Sequence, residues 1–314
     1  MILSTSNSEK GETILVPSRK HILKLARTRL KKCVSIAPRL LVDDDPNDIH
    51  ALRVSSRRLQ QILGLLFPKP RHGKSRKVTR ALRDLRGDWS ACRNLDVNID
   101  LLREMLESLN TDGARDPWDY VRECIVKRRA REFERARKRL GRLDIVGLIK
   151  RTQRLFEVVK IENVRELNLE QSLAETLAEW NEAVAQAKTS QDPKRLHELR
   201  ISGKRLRYRL EVLAELGERA AKSQVESLKV LQDELGRWHD RHLLLQFVTD
   251  LYNKPEFVRN HSEFGQILER DIDVESLKNN AAIEEILKQG ELLQLELDNR
   301  KTAVEQEAAL TDLS

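Results

Sequence analysis

Two short segments of the chain place a histidine before regularly spaced cations. They read HALRVSSRR at 50–58 and HELRISGKR at 197–205. Positions i, i+3 and i+7 share one face of an α-helix, and imidazole, guanidinium and ammonium groups on one face can donate hydrogen bonds to an anion. The residues predicted to form these two faces are His50, Arg53 and Arg57 in the first segment and His197, Arg200, Lys204, Arg207 and Tyr208 in the second.

An apolar stripe runs beside the basic face on both helices. In the second helix, Leu199, Leu206 and Leu210 recur at the spacing of a buried helix face. Stacked like charges destabilise an isolated helix by roughly 0.2–0.5 kcal/mol per neighbouring pair, and most acids on these helices project elsewhere. We therefore favour a face that a bound anion neutralises. An ordinary solvated face is the alternative, and a structural hydrogen-bonding role for the histidines is compatible with both.

The two segments belong to an internal repeat. Residues 45–59 and 192–206 align without gaps at an offset of 147, with 8 of 15 positions identical. About 35 residues further on, 82–94 aligns with 228–240 at an offset of 146. This second match adds cations to the predicted site. They are Arg83, Arg86 and Arg93, matched in the other copy by Lys229, Gln232 and His239.

The repeat predicts an all-α chain made of two helical-bundle repeats, 1–165 and 166–314. Only 12 glycines and 8 prolines interrupt a sequence in which 34% of residues are charged, which suits helices. Each half is expected to contain four helices. The predicted helices cover about 17–42, 47–67, 73–109 and 116–140 in the first half, and 169–188, 194–216, 220–250 and 276–308 in the second.

Net charge is divided unevenly between the halves. Residues 1–150 contain 34 Lys and Arg against 19 Asp and Glu, a balance of +15, whereas residues 151–314 contain 24 against 31, a balance of −7. Such a surplus favours a polyanionic partner. Proteins that bind single-stranded RNA interleave aromatic side chains with the basic groove, because the bases stack on them. Only Tyr208 meets this description here, so binding of nucleic acid is expected to be secondary.

A metal site and an enzyme are weaker alternatives. His50 and His197, helped by His239, Asp240 and His242, could supply metal ligands, but the neighbouring Arg and Lys side chains would repel a cation. A phosphohydrolase needs carboxylates that hold metal ions beside the phosphate, and no paired-acid motif lies on the basic face. We expect no catalysis, no cofactor and no metal.

Three cysteines without a CxxC pair argue against a disulfide framework and a zinc ribbon. The first residues do not read as a secretion signal, and no apolar run is long enough to span a membrane. A cytoplasmic protein that does not contact membranes is expected. Its oligomeric state is left open.

The pattern HxLR[VI]xx[RK]RL, present twice and followed in each half by a helix of the form LxxLxxxxGxxRDxDV, resembles the CHAD domain, the conserved-histidine α-helical domain. The resemblance covers roughly 17–305 and implies that both repeats form one CHAD domain. It further implies two four-helix bundles related by a pseudo-twofold axis, a basic channel between them, binding of inorganic polyphosphate, and association with polyphosphate granules. The residues that match the family's basic positions are His50, Arg53, Arg57, Arg83, Arg86, Arg93, His197, Arg200, Lys204, Arg207, Tyr208 and Lys229.

The first copy departs from the family pattern at three positions. Gln60 stands where the family usually has Arg, Ser90 where it has Gly, and Asn94 where it has Asp. These changes soften the first copy of the pattern at the channel edge but keep its main cations. An ExExK strand, the mark of the triphosphate-tunnel domain that some family members carry, does not occur.

Overall fold

The computed structural model describes residues 19–67, 73–108, 112–161, 169–215 and 220–311. Twelve helices and no strand lie within these ranges, so the predicted all-α fold is confirmed. None of these helices is both long and apolar enough to cross a membrane. In chain order they are α1 (Arg19–Ile36), α2 (Arg39–Val42), α3 (Pro46–Leu66), α4 (Gly73–Asp88), α5 (Ser90–Ser108), α6 (Asp112–Arg142), α7 (Ile145–Ile161), α8 (Leu169–Thr189), α9 (Pro193–Glu215), α10 (Ala220–Tyr252), α11 (Pro255–Asn260) and α12 (Ser262–Thr311).

Two predicted helices are interrupted in the structure. The helix expected over 17–42 stops before Pro38 and resumes as α2, because proline has no amide hydrogen to donate to the preceding turn. The helix expected over 73–109 is divided at Trp89. The indole of Trp89 is fully buried and packs edge-on against Phe133, with ring centroids 5.5 Å apart. At the matching place in the second half, α10 continues without a break.

Three helices differ from the prediction in extent. Helix α7 was not predicted, and α12 begins at Ser262 rather than near 276. Helix α6 begins at Asp112 and includes Pro117, where a break was expected. The residue after this proline, Trp118, is fully buried. The packing of such a large side chain can hold a turn in a helix that proline alone would disfavour.

The helices α3 and α9, which carry the repeated histidine segments, begin in the same way. Asp45 accepts a hydrogen bond from the backbone amide of Asn47 at 2.8 Å, and Asp192 accepts one from that of Lys194 at 2.8 Å. In both helices a proline follows the aspartate, at the position where no amide donor is needed. These caps fix where each basic face begins.

Each half of the chain contributes an apolar core of its own. The first core combines α1, α3, α4 and α7 with the end of α6, and Ile22, Leu52 and Leu82 are fully buried in it. The second is formed by α8 and α9 together with the first part of α10 and the last part of α12, with Leu199 and Leu228 fully buried. The apolar stripes of α3 and α9 therefore face different cores.

A third core joins the two halves, which the prediction of two bundles did not include. It combines α5 and the start of α6 with the end of α10, α11 and the start of α12. Trp118 and Val121 from the first half and Leu244 and Val248 from the second are all fully buried in it. Full burial of one such aliphatic side chain contributes about 1.5–3 kcal/mol, so this core ties the halves together. The pseudo-twofold relation between the bundles stays a prediction.

Helices α3 and α9 also contact each other directly. The Arg58 side chain forms an ion pair with Glu211, with 3.2 Å between Nε and Oε2. The Arg209 guanidinium donates a hydrogen bond to the backbone carbonyl of Gln61 at 3.2 Å. Val212 of α9 is buried in the first core. The two helices are thus held side by side at their C-terminal ends.

Gly203 of α9 allows a close approach to α8. A Cβ atom at this position would lie 2.8 Å from Cζ3 of Trp180, which is fully buried. The matching residue in the first half is Ser56. The missing side chain at Gly203 therefore accommodates the indole.

We expect Gly203→Ala to lower the free energy of unfolding by about 1–3 kcal/mol, because the added methyl group overpacks the second core. Gly265→Ala is the matched control, since a Cβ there would contact nothing within 4 Å. Alanine in that helix interior should be neutral or stabilise by about 0.5–1 kcal/mol. Urea unfolding followed by circular dichroism measures both, and equal stabilities of the two variants would contradict the packing argument.

Candidate functional site

Arg53 is held at the junction of α3, α4 and α5. Its Nη1 donates hydrogen bonds to the backbone carbonyl of Arg86 at 2.9 Å and to Oγ of Ser90 at 2.5 Å. This carbonyl lies in the last turn of α4 and also accepts a hydrogen bond from Oγ of Ser90 at 3.1 Å. Arg53 and Ser90 therefore share one acceptor where α4 ends and α5 begins.

Arg86 is held by a second neutral acceptor. Its Nη1 donates to Oε1 of Gln60 on α3 at 2.8 Å. Both Gln60 and Ser90 are departures from the family pattern, and in the structure both orient arginines of the predicted site. Because an amide and a hydroxyl carry no net charge, they fix each guanidinium without cancelling its positive charge.

Arg200 occupies the matching place in the second half. Its Nη2 lies 4.0 Å from where a Cβ of Gly236 would be, and Gly236 matches Ser90 in the repeat. It also lies 3.9 Å from Oδ1 of Asp240. Asp240 matches Asn94, so the second copy has a carboxylate where the first has an amide. The arginine of the second copy is therefore partly neutralised.

Arg57 links the basic faces of α3 and α9. Burial and the charge of Arg57 together lower the pKa of Arg53 and that of Arg86, each to about 10. The pKa of Lys204 is lowered from 10.5 to about 7 by burial, by Arg200 and then by Arg57. Within the described residues, Arg57 itself has no ion pair. Cations from both halves thus lie close together, and their positive charges repel one another.

The histidines of the site are neutral near pH 7. Partial burial and the neighbouring arginines lower the pKa values of His50 and His197 below the usual 6.5. The His197 ring lies 4.9 Å from that of His239, whose pKa is lowered to about 3, mainly by burial and then by Arg200. Nδ1 of His197 is buried and has no hydrogen-bond partner in the described chain. These imidazoles are available as neutral hydrogen-bonding groups.

Two acids that sequence reasoning did not assign to the anion site lie within it. Asp240 was considered only as a metal ligand, and in the structure it stands among Arg200, Lys204 and Arg93, with a pKa raised by its burial. Glu211 pairs with Arg58 and, at 3.3 Å, with Arg207. Only the helix spacing of Glu211 from Arg207, one turn apart, could have indicated this second pair.

The remaining predicted residues differ in position. Arg93 lowers the pKa values of His50 and Arg53 and so belongs to the cluster. Arg83 is exposed at the edge of the cluster, and its charge contributes to the lowered pKa of Arg86. Lys229 is exposed, two helical turns before Gly236 on α10, and pairs with Glu226 at 3.5 Å.

Tyr208 is only 5% exposed. Its ring lies 5.1 Å from Cζ of Arg207, a cation–π contact within the protein. A ring that is buried and already covered by a guanidinium offers no free face for a nucleic-acid base. The basic cluster has cations and hydrogen-bonding groups but no stacking platform among its described members.

The histidine-based metal site finds no support in the described residues, where no group of three His, Cys, Asp or Glu side chains is arranged to hold an ion. The closest pair of imidazoles, His197 and His239, is flanked by Arg200 and Lys204. A positive environment of this kind opposes the binding of a cation and suits an anion.

The family model of the CHAD domain matches residues 24–249. A crystal structure of the CHAD domain from the plant Ricinus communis superposes with a TM-score of 0.67 at 17% identity, covering 87% of this chain and 91% of that one. PptA from Streptomyces chartreusis gives a TM-score of 0.63 at 16% identity, covering 87% and 99%. No curated protein matches the sequence. The chain belongs to the CHAD-domain family.

Proposed function

We propose that this protein binds inorganic polyphosphate, without catalysis, in a basic channel between the faces of α3 and α9. The observation that carries the proposal is the convergence of five cations, in which burial and neighbouring charges lower the pKa values of four. The four are Arg53, Arg86, Arg200 and Lys204, and the fifth, Arg57, lies among them. A polyanion that enters the cluster would remove this repulsion. Relief of the repulsion among these cations would therefore contribute to the free energy of binding.

The charge and shape of the cluster favour polyphosphate over nucleic acid. A polyphosphate chain presents one negative charge per residue and neither bases nor aromatic rings, so Lys and Arg in quantity are enough to bind it. Single-stranded nucleic acids gain about 1–3 kcal/mol per base by stacking on aromatic side chains. Tyr208, the aromatic residue on this face, is buried beneath Arg207.

The spread of the cations favours a polymer over a single phosphate. Arg53 and Arg57 belong to α3, Arg86 to α4, and Arg200 and Lys204 to α9. Groups on three helices from both repeats can all contact one long chain, whereas orthophosphate can reach only a few of them. Both repeats would therefore act as one binding unit. A cytoplasmic protein that associates with polyphosphate granules is the cellular setting we propose.

The acids of the cluster support binding rather than hydrolysis. Metal-assisted phosphate hydrolysis needs carboxylates that are free to coordinate an ion. In the described site, Glu211 is engaged by Arg58 and Arg207, and Asp240 faces Arg200. These pairs leave the carboxylates poorly suited to hold a metal ion.

We expect Arg53→Glu, Arg57→Glu, Arg200→Glu and Lys204→Glu, combined in one variant, to abolish binding of long-chain polyphosphate and to preserve the helical fold. Wild-type affinity should be high at low salt and fall steeply as salt rises, because neutralised phosphates release counterions, as in nucleic acids. Orthophosphate should bind poorly. Titration of long-chain polyphosphate over a salt series, with single-stranded RNA and heparin as competitors, compares the affinities of these three polyanions.

A matched control carries the same change in net charge on Arg103, Arg122, Arg135 and Arg137, which are exposed and paired with acids one turn away. It should keep most of the affinity. A milder variant, Arg57→Gln with Lys204→Gln, keeps the test valid if the fourfold reversal fails to fold. Unchanged affinity in a folded Arg57→Gln, Lys204→Gln variant, or equal affinity for orthophosphate and long chains, would overturn the proposal.

Lys204 should make both stability and binding depend on pH. Its folded pKa of about 7 is below the ordinary 10.5, so the unfolded chain holds more protons between these values and the stability of the free protein should rise with pH in this range. A bound polyanion favours the charged form, so affinity should rise as pH falls from about 9.5 to 7. Lys204→Arg should bind at every pH and lose most of this dependence. An identical pH profile for the variant would show that Lys204 does not contact the ligand.

The histidines should matter mainly at low pH. Near pH 7.5 both imidazoles are neutral, so His50→Ala combined with His197→Ala should weaken polyphosphate binding only moderately. Because the pKa values of the free histidines are lowered and a bound anion raises them, wild-type affinity should increase as pH falls below about 6. The variant should fail to follow. Affinities that stay parallel from pH 8 to 5.5 would assign the histidines a structural role.

A further inference from the structure

The outer face of α4 carries a row of arginines outside the convergent cluster, which is the group of five cations formed by Arg53, Arg57, Arg86, Arg200 and Lys204. With Leu82 at 0° on a helical wheel, Arg83, Arg76 and Arg80 project at about 100°, 120° and 160°. The buried residues of α4 lie on the opposite side, between about 300° and 60°. All three arginines are exposed. They form one stripe that begins beside Arg86.

Among the described residues, most other exposed arginines have an acidic partner, which this stripe lacks. Arg103 pairs with Asp100, and Arg137 pairs with Glu134, each three residues away on its own helix. In the part of the chain that the structure describes, none of the three stripe arginines forms an ion pair. Like charges at this spacing disfavour the helix slightly, so the folded helix gains nothing from the stripe.

The internal repeat provides a direct comparison. At the offset of 146, Arg76, Arg80, Arg83 and the exposed Gly87 match Lys222, Glu226, Lys229 and Asp233 on α10. The stripe on α4 therefore has a charge of +3, and the matching stripe on α10 has none. Both stripes are exposed, and on α10 the cation Lys229 is paired with Glu226. The basic face was duplicated, but only one copy of this extension is cationic.

The stripe is continuous with the cluster. Arg83 lowers the pKa of Arg86, and Arg86 is bonded to Gln60 on the face of α3. From Arg86 to Arg76 the helix rises about 15 Å. Gly87, at the junction, has no side chain, and a Cβ there would contact nothing within 4 Å. A chain that leaves the cluster over Gly87 would meet Arg83, Arg80 and Arg76 in turn.

We propose that long polyphosphate leaves the convergent cluster in one direction only, along α4, and that Arg76 and Arg80 are binding residues for the part of the chain beyond the cluster. This inference rests on the proposed function. It makes the site directional although the fold is duplicated. It also assigns Lys229, on the neutral stripe of α10, a smaller contribution than its counterpart Arg83.

The test compares Arg76→Gln with Arg80→Gln against Lys74→Gln with Lys77→Gln. The control pair removes the same charge from the same helix, but on the wheel Lys74 and Lys77 are separated from the arginine stripe by Asp84. All four substituted residues are exposed. With long-chain polyphosphate, the arginine variant should lose about tenfold or more in affinity at low salt, and its salt dependence should become shallower by the equivalent of about two contacts. The control should match wild type. Tripolyphosphate is too short to extend from the cluster along the rise of about 15 Å to Arg76, so all three proteins should bind it alike.

A gain-of-binding variant tests the same inference from the other side. Glu226→Arg gives the α10 stripe a charge of +2 and releases Lys229 from its ion pair. We expect it to bind long-chain polyphosphate more tightly than wild type and tripolyphosphate no better.

The outcomes separate the two proposals. If wild type fails to bind any polyphosphate, or the cluster variants bind as well as wild type, the proposed function is wrong. If wild type binds but the arginine and lysine variants lose long-chain affinity equally or not at all, the proposed function stands and the path along α4 is wrong. Unfolding midpoints without ligand should be the same for both variants, which excludes an effect through stability.

Discussion

The buried cations of α3, α4 and α9 repel one another, and the fold has to hold them together against this repulsion. Burial and proximity disfavour the charged forms of Arg53, Arg86 and Lys204, so the fold must supply free energy to hold them together. The apolar stripes on the opposite sides of the same helices do so, because each is buried in a separate core. Burial of these stripes therefore maintains a high positive potential where the cations lie.

The two halves hold their arginines in chemically different ways. In the first half, Ser90, Gln60 and a backbone carbonyl accept hydrogen bonds from Arg53 and Arg86 and leave their charge intact. In the second half, Asp240 faces Arg200 and Glu211 pairs with Arg207. The two repeats thus place cations at matching positions but differ in the acids beside them. The uneven distribution of charge along the sequence has this local counterpart in the site.

Much of the fold could be predicted from the sequence, since the repeat, the apolar stripes and the aspartate-proline caps all depend on residues close together in the chain. The all-α class and the family followed from them. The break at Trp89, the inclusion of Pro117 in α6 and the third core could not be predicted, because each depends on packing between segments distant in sequence. In the site, the helix wheel identified the cations of each face, but the role of Gln60, Ser90, Asp240 and Glu211 depends on contacts between helices.

The third core has a consequence for how the protein is made. It pairs α5 and α6 with α10 and α12, and the indole of Trp118 donates a hydrogen bond to Asp271, 153 residues further on, at 3.0 Å. Contacts between such distant segments form late, because a long loop must close first. During translation, the first half is synthesised before the segments that cover the apolar surface of α5 and α6. Until α10 and α12 follow, this surface has no native partner, and exposed apolar surface of this kind favours aggregation.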